Sequence, residues 1–211
     1  MTNFIPIFPL AIVVFPGELL NLHIFEPRYK QLITECHTQA KPFGIPSVLK
    51  NGVTEIGTLV EISEIVTVYA DGKIDVRTKG VRVFKILELI TSIPDKLYNG
   101  AIVNYPEITE KKHPQLMQEV IKGVRDLLRL LKVEKDFLKK ESDLNSYDLA
   151  HHVGLSIEEE YAFLGLLHEF QRLKYLKLHL AKVLTVISGM ELLKEKIQLN
   201  GHFKELKGFT L

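Results

Sequence analysis

The strongest constraint on the fold is a hairpin signal in the first half of the chain. Tyr69-Ala70-Asp71-Gly72-Lys73 lies within the clearest β element, Glu55 to Leu89. Asp-Gly readily takes positive φ angles, so the segment predicts a two-residue type I′ turn between antiparallel strands. After the turn, Ile74, Val76 and Thr78 alternate with Lys73, Asp75, Arg77 and Lys79, the period of a half-buried strand. Gly80 interrupts this run and predicts a bulge or corner, the device that bends a sheet towards closure. Val81, Val83, Phe84 and Ile86 then resume it. Ala11–Phe15 and Phe43–Leu49 are further apolar runs bounded by Pro and Gly, and both read as strands.

One helix interrupts the β region. Pro27 suits a first helical turn, and Tyr29, Leu32, Ile33 and Cys36 recur at helical spacing, so a helix starts near Glu26. Beyond Pro106 and Lys111-Lys112-His113-Pro114 the pattern turns helical throughout. Met117, Val120, Ile121, Val124, Leu127, Leu128 and Leu131 form one stripe. A second helix runs from Ser146 to Val153 and stops at Gly154. Ser156 with Glu159 matches a capping box and starts a third. From His168 to about Leu199, Leu173, Leu176, Leu180, Val183, Leu184 and Ile187 mark a long amphipathic helix, with a break expected near Ser188-Gly189. The expected organisation is α+β: a β-rich domain over 1–105, then a helical bundle over 106–211.

Composition excludes several classes. The 211 residues are 46% hydrophobic and 25% charged, the profile of a globular chain and not of a disordered one. Before the Tyr105/Pro106 boundary there are 10 basic and 10 acidic residues, and beyond it 17 and 16. Neither half is a basic module, which argues against nucleic acid and against an anionic membrane surface. A single cysteine, Cys36, excludes an internal disulfide framework and suits a reducing compartment. The N-terminal run is broken by Pro6, Pro9 and Pro16 and lacks a basic start, so no targeting signal is read there. Apolar stretches reach only about six residues, against about 20 for a membrane span. The expected location is the cytoplasm.

The search for chemistry finds little. Around Gly72-Lys73 a phosphate loop fails twice, with Thr67 in place of the first Gly and Ile74 in place of the hydroxyl. Gly154-Leu155-Ser156-Ile157-Glu158 holds half of a nucleophile elbow, and Ser156 reads better as a helix cap. His168-Glu169-Phe170-Gln171-Arg172 opens like a zinc-protease motif but ends on Arg, which does not normally ligate zinc. His151 and His152 are adjacent and point about 100° apart on a helix, so they cannot share a metal. Cys36 lies on an apolar stripe and reads as a buried structural thiol. Lys73, Arg77, Lys79, Arg82 and Lys85 form the best basic cluster, and a solvated strand face explains it better than a phosphate track. No catalytic residue, metal or cofactor is expected.

The run from Phe8 to Tyr29 carries a resemblance. Val14-Phe15-Pro16-Gly17 followed by Leu22-His23-Ile24-Phe25-Glu26-Pro27-Arg28-Tyr29 resembles the opening of the Lon protease N-terminal domain, a substrate-recognition module with a PUA-like β fold. Glu55-Ile56-Gly57-Thr58-Leu59 is similar to that family's Gly-Thr strand, and Gly80, Arg82 and Phe84 to its Gly-x-Arg-x-Phe turn. The matches cover about residues 4–104; the helical half is similar in layout only. Asn21 departs from a usual Pro and Val83 from a common Arg. The family's proteases continue into an ATPase and a Ser-Lys proteolytic domain. This sequence ends at Leu211 with neither.

The resemblance implies a PUA-like β-rich pseudo-barrel followed by the helical bundle, and a stand-alone, non-enzymatic module that binds exposed apolar polypeptide segments. An open sheet edge, or the groove between barrel and bundle, could take an extended peptide by strand addition. The expected peptide-binding residues are Phe15, Leu19, Leu22, His23, Phe25 and Tyr29, with Arg82 as a polar rim contact. Among them Leu19 and His23, near the Pro-Gly turn, are expected to be exposed, and Phe25 and Tyr29 read more readily as core. Partners are unfolded polypeptides, with a Lon-type protease in trans as another. The alternative of a different class is RNA binding, since PUA-like folds often serve it; steep loss of binding with salt would mark it. Oligomeric state is not fixed by the sequence. In the tail, Phe203, Leu206 and Phe209 imply docking.

Overall fold

The computed structural model describes residues 3–133 and 139–206, with side chains as far as residue 197. Two compact units result, Met1–Lys111 with Gly154–Arg172, and Lys112–Val153 with Leu173–Leu211. The sequence draws its division at 105/106; the helix that starts after Ser156 falls in the first unit.

The first unit is an antiparallel sheet in the order β1 (Asn3–Pro6), β6 (Gly100–Asn104), β5 (Ile74–Ile90), β4 (Gly52–Val68), β3 (Phe43–Leu49). β2 (Leu19–Ile24) pairs with β5 beside this path. Closure comes from the chain leaving β1. Residues 7–10 run parallel to β3, with bridges at Ile7/Gly44 and Leu10/Ser47. The N–H of Phe8 donates to the Gly44 carbonyl at 2.8 Å, and that of Val48 to the Leu10 carbonyl at 2.7 Å.

β4 and β5 form the expected hairpin, but not through a type I′ turn. The loop is three residues, Ala70-Asp71-Gly72, and only Gly72 has positive φ, at 76°. The Gly72 N–H donates to the Tyr69 carbonyl and the Tyr69 N–H to the Lys73 carbonyl, both at 2.9 Å. This is the three-residue hairpin loop closed by a left-handed glycine. Past the turn, Ile74, Val76 and Thr78 are buried while Arg77 and Lys79 are exposed.

Ala11–Phe15 is not a strand. Val13, Val14 and Phe15 are buried, yet they cross the sheet instead of pairing along it. Polar bonds replace the ladder. The buried Thr58 hydroxyl donates to the Val14 carbonyl, and the Glu18 carboxylate accepts from the Phe15 N–H at 2.8 Å. The Gly17 N–H donates to the Gly80 carbonyl at 2.9 Å. A Cβ built on Gly80 would stand 2.2 Å from the Phe15 carbonyl oxygen, so only glycine fits under the crossing. The register shift between Leu59 and Val60 opposite Gly80 is the expected bulge. Beyond it Val81 is exposed, so the inward row resumes at Val83 and Phe84.

α1 (Pro27–Thr38) starts after Glu26 and buries Tyr29, Leu32, Ile33 and Cys36, the stripe read from the sequence. These pack with Ile24, Phe43, Val60, Ile74 and Val76. Each fully buried side chain of this size contributes roughly 1.5–3 kcal/mol. Glu35 ties α1 to the loop before β6: Lys96 Nζ donates to both carboxylate oxygens at 2.8 Å and the Tyr98 hydroxyl to one at 2.6 Å. The Lys96 and Tyr98 hydrogen bonds hold the Glu35 carboxyl below its usual range.

α4 (Ile157–Leu164) carries the capping box of Ser156 and Glu159. Phe163 meets Phe15 edge-on at 5.7 Å between ring centres. The start of α5 (Glu169–Leu206) holds a buried ion pair, with Arg172 Nη2 donating to Glu169 Oε2 at 2.8 Å and Nη1 to the Leu166 carbonyl at 2.9 Å. The residues that resembled a zinc motif are thus a guanidinium and its counter-ion.

In the second unit, α2 (Pro114–Leu130) buries Val120, Ile121, Val124 and Leu127. α3 (Ser146–Ala150) is shorter than expected; turns carry the chain on to Gly154 at φ 75°. Leu173, Leu176 and Leu180 of α5 are buried, and Gly123 lets α2 approach Leu180 closely. The His179 ring donates from Nε2 to the Val153 carbonyl at 2.9 Å. α5 continues through Ser188-Gly189 without a break. Docking of Phe203, Leu206 and Phe209 concerns side chains outside the described residues.

Candidate functional site

β2 lies antiparallel to the first half of β5, with Leu19 opposite Lys79, Asn21 opposite Arg77 and His23 opposite Asp75. Strand alternation sends these side chains to the solvent face, while Leu20, Leu22 and Ile24 turn to the core. The hairpin loop adds Tyr69 beside this row.

Asp75 organises the site. One carboxylate oxygen lies 2.6 Å from His23 Nδ1, and the other accepts the Tyr69 hydroxyl at 2.6 Å. The Tyr69 and His23 hydrogen bonds hold the Asp75 carboxyl below its usual range. The same bond to Asp75 pushes the Tyr69 phenol up. With both partners tied to one carboxylate, the His23 and Tyr69 rings meet edge-on at 5.9 Å. Phe25 stacks obliquely on His23 at 6.3 Å.

The result is a solvent-facing row of large side chains along β2, in which a short polar clasp holds His23 and Tyr69 together. Leu19 is 61% exposed, Phe25 59% and Tyr69 43%. The neighbouring charges are largely paired internally: Arg77 with Glu64 at 2.7 Å, and Lys73 with Asp71 at 2.7 Å. Such a surface suits apolar and aromatic contact better than a polyanion.

Four of the seven residues singled out from the sequence stand together here: Leu19, His23 and Phe25 on the surface, and Leu22 half-buried beneath them. Phe15 and Tyr29 do not join them. At 1% and 7% exposure they are core residues: Phe15 lies in the crossing over Gly80, and Tyr29 is on the inward stripe of α1. Arg82 is exposed but lies past the bulge, its guanidinium 4.1 Å above the Tyr105 ring. Phe25, read more readily as core, is outside because it precedes the helix whose periodicity buries Tyr29.

Tyr69 and Asp75 were missed as site residues. The sequence shows them as a turn flank and as the polar phase of a strand. Only the pairing of β2 with β5 sets His23 against Asp75.

No group of three His, Cys, Asp or Glu side chains among the described residues is placed to hold a metal. Burial pushes the Cys36 thiol up to about 11, which leaves it a poor nucleophile near neutrality. No described helix is long and apolar enough to cross a membrane.

A family model described as the ATP-dependent protease La (LON) substrate-binding domain matches residues 5–182, reaching well beyond the β half. The fold is similar to the crystal structure of a Lon N-terminal domain protein from Xanthomonas campestris. That chain is 25% identical with a TM-score of 0.63, over 82% of this chain and 96% of the other. It is similar also to the N-terminal domain of Mycobacterium avium complex Lon protease, 15% identical with a TM-score of 0.64. There the match covers 85% of this chain and 98% of that one.

Proposed function

This chain belongs to the ATP-dependent protease La (LON) substrate-binding domain family, and from that premise we propose that it is a non-catalytic module recognising exposed apolar segments of polypeptides. The observation that carries the reading is the solvent-facing row of Leu19, His23 and Phe25 along β2, with Tyr69 held beside His23 by the Asp75 clasp. Contact with apolar side chains of a client removes that surface from water.

Leu19, Leu22, His23 and Phe25 are the contact residues, with Tyr69 added by the structure. Arg82 is the polar contact past the bulge. Phe15 and Tyr29 serve by holding the core beneath the patch. The partners are unfolded segments of cytoplasmic proteins, with a full-length protease of the Lon type acting in trans on the same clients.

The test is binding of the purified protein to a permanently unfolded client and to a single-stranded RNA, each at low and high salt. Client binding that persists at high salt supports the reading, because apolar burial releases no condensed counterions. Salt-sensitive RNA binding without client binding would replace it with a nucleic-acid role.

A further inference from the structure

Resting on the recognition role proposed above, we infer that the outer edge of β2 is the docking line. Its occupant is an extended, nearly continuous apolar segment of about six residues, added as one more strand. Four observations lead there.

The first is hydrogen-bonding direction. The Gly80 N–H donates to the Glu18 carbonyl at 2.8 Å, and the Thr78 hydroxyl to the Leu20 carbonyl at 3.0 Å. Antiparallel alternation then turns Leu20, Leu22 and Ile24 towards β5. The N–H and C=O groups of Leu19, Asn21 and His23 point away from the sheet. Among the described residues β2 pairs with β5 alone, and no backbone hydrogen bond reaches these three.

The second is the lack of protection. Exposed edges are normally blunted by lysine, proline, bulges or a covering segment. Leu19-Leu20-Asn21-Leu22-His23-Ile24 holds no Lys, Arg, Asp, Glu or Pro, and its pairing with β5 runs without a register shift.

The third is chemistry on both faces. An added strand meets Leu19, Asn21, His23 and Phe25 on the outer face, and Leu20 and Leu22 on the inner one. With Leu19 and Phe25 at the two ends of one face and Leu20 and Leu22 on the other, such a strand is better served by a largely apolar run than by a strictly alternating one. Unfolded proteins display such runs and folded proteins bury them.

The fourth is rigidity. The Asp75 clasp fixes His23 and Tyr69 at the end of the edge, so little ordering is lost on docking.

Amide hydrogen exchange by NMR tests this directly. The probe is an uncharged, end-capped heptapeptide of Val, Ile, Leu and Phe on a polyethylene glycol tag. In the free protein the amides of Leu19, Asn21 and His23 exchange fast while those of Leu20, Leu22 and Ile24 are protected. Peptide binding should slow the first three at least tenfold. Asn21→Pro removes an outward N–H and should weaken the peptide at least tenfold. Asn21→Lys should do the same without altering the backbone, and both should leave the melting temperature near wild type.

If the peptide binds and the three amides stay unprotected, the edge inference is overturned while the recognition reading stands. If they are already protected in the free protein, in proportion to its concentration, a second copy is the occupant. If an unfolded client binds but the peptide does not, the short-segment class is wrong. If neither binds, the recognition reading fails and takes this inference with it.

Discussion

Two strands of the same sheet, β3 and β2, border open space in opposite ways. β3 is closed off by residues 7–10, which lie beside it and exchange backbone hydrogen bonds with it. Among the described residues β2 pairs on one side only, though it is as rich in Leu and Ile. One margin of the sheet is thus closed and, among the described residues, the other is left unpaired. The same contrast appears among single residues. Phe15 and Phe25 stand ten positions apart, and the first is locked in the core while the second is displayed.

The comparison can be broken most severely from the buried side. Phe15→Ala should cost about 4 kcal/mol, because it empties a core site against Phe163. Urea unfolding measures this, and the fraction still folded should bind clients as wild type does. Gly80→Ala should cost about 3 kcal/mol in the same assay, since the new Cβ meets the Phe15 carbonyl and not a movable side chain. From the displayed side, Leu19→Ser with Phe25→Ser should change stability by no more than about 0.5 kcal/mol. That pair should weaken an unfolded client about tenfold, or about 1.4 kcal/mol, in a binding titration.

The smallest effect concerns pH. Glu35 has its folded carboxyl pKa depressed by the Lys96 and Tyr98 hydrogen bonds. Its contribution is therefore present above the ordinary carboxylate pKa and lost as pH falls through the lower folded value. Glu35→Gln should melt slightly below wild type at neutral pH, with the difference shrinking in acid. A difference constant with pH would mean that the carboxylate charge does not matter there.

What the sequence revealed was local. The hairpin, the α1 stripe of Tyr29, Leu32, Ile33 and Cys36, and the Ser156–Glu159 cap each depend on residues a few positions apart. The errors lie where distant segments meet. Ala11–Phe15 has strand composition, but Gly80, Thr58 and Glu18 hold it as a crossing. The helix α4 reads as part of a bundle, yet Phe163 and Tyr161 bind it to the barrel's unit. Within the candidate site, the exposure of Leu19 and His23 was legible, while Phe25 read as core and stands outside. The Asp75 clasp was not, because it joins residues 52 positions apart.

The most direct measurement is a photo-cross-linking map. An unfolded client carrying photoreactive apolar side chains would be bound, irradiated, and its attachment points on this protein identified. Adducts concentrated on residues 19–25 and on Tyr69 are the expected result. Adducts spread over the surface, or gathered near Phe4 and Leu89 on the far part of the sheet, would contradict the assignment of recognition to β2 and the hairpin loop.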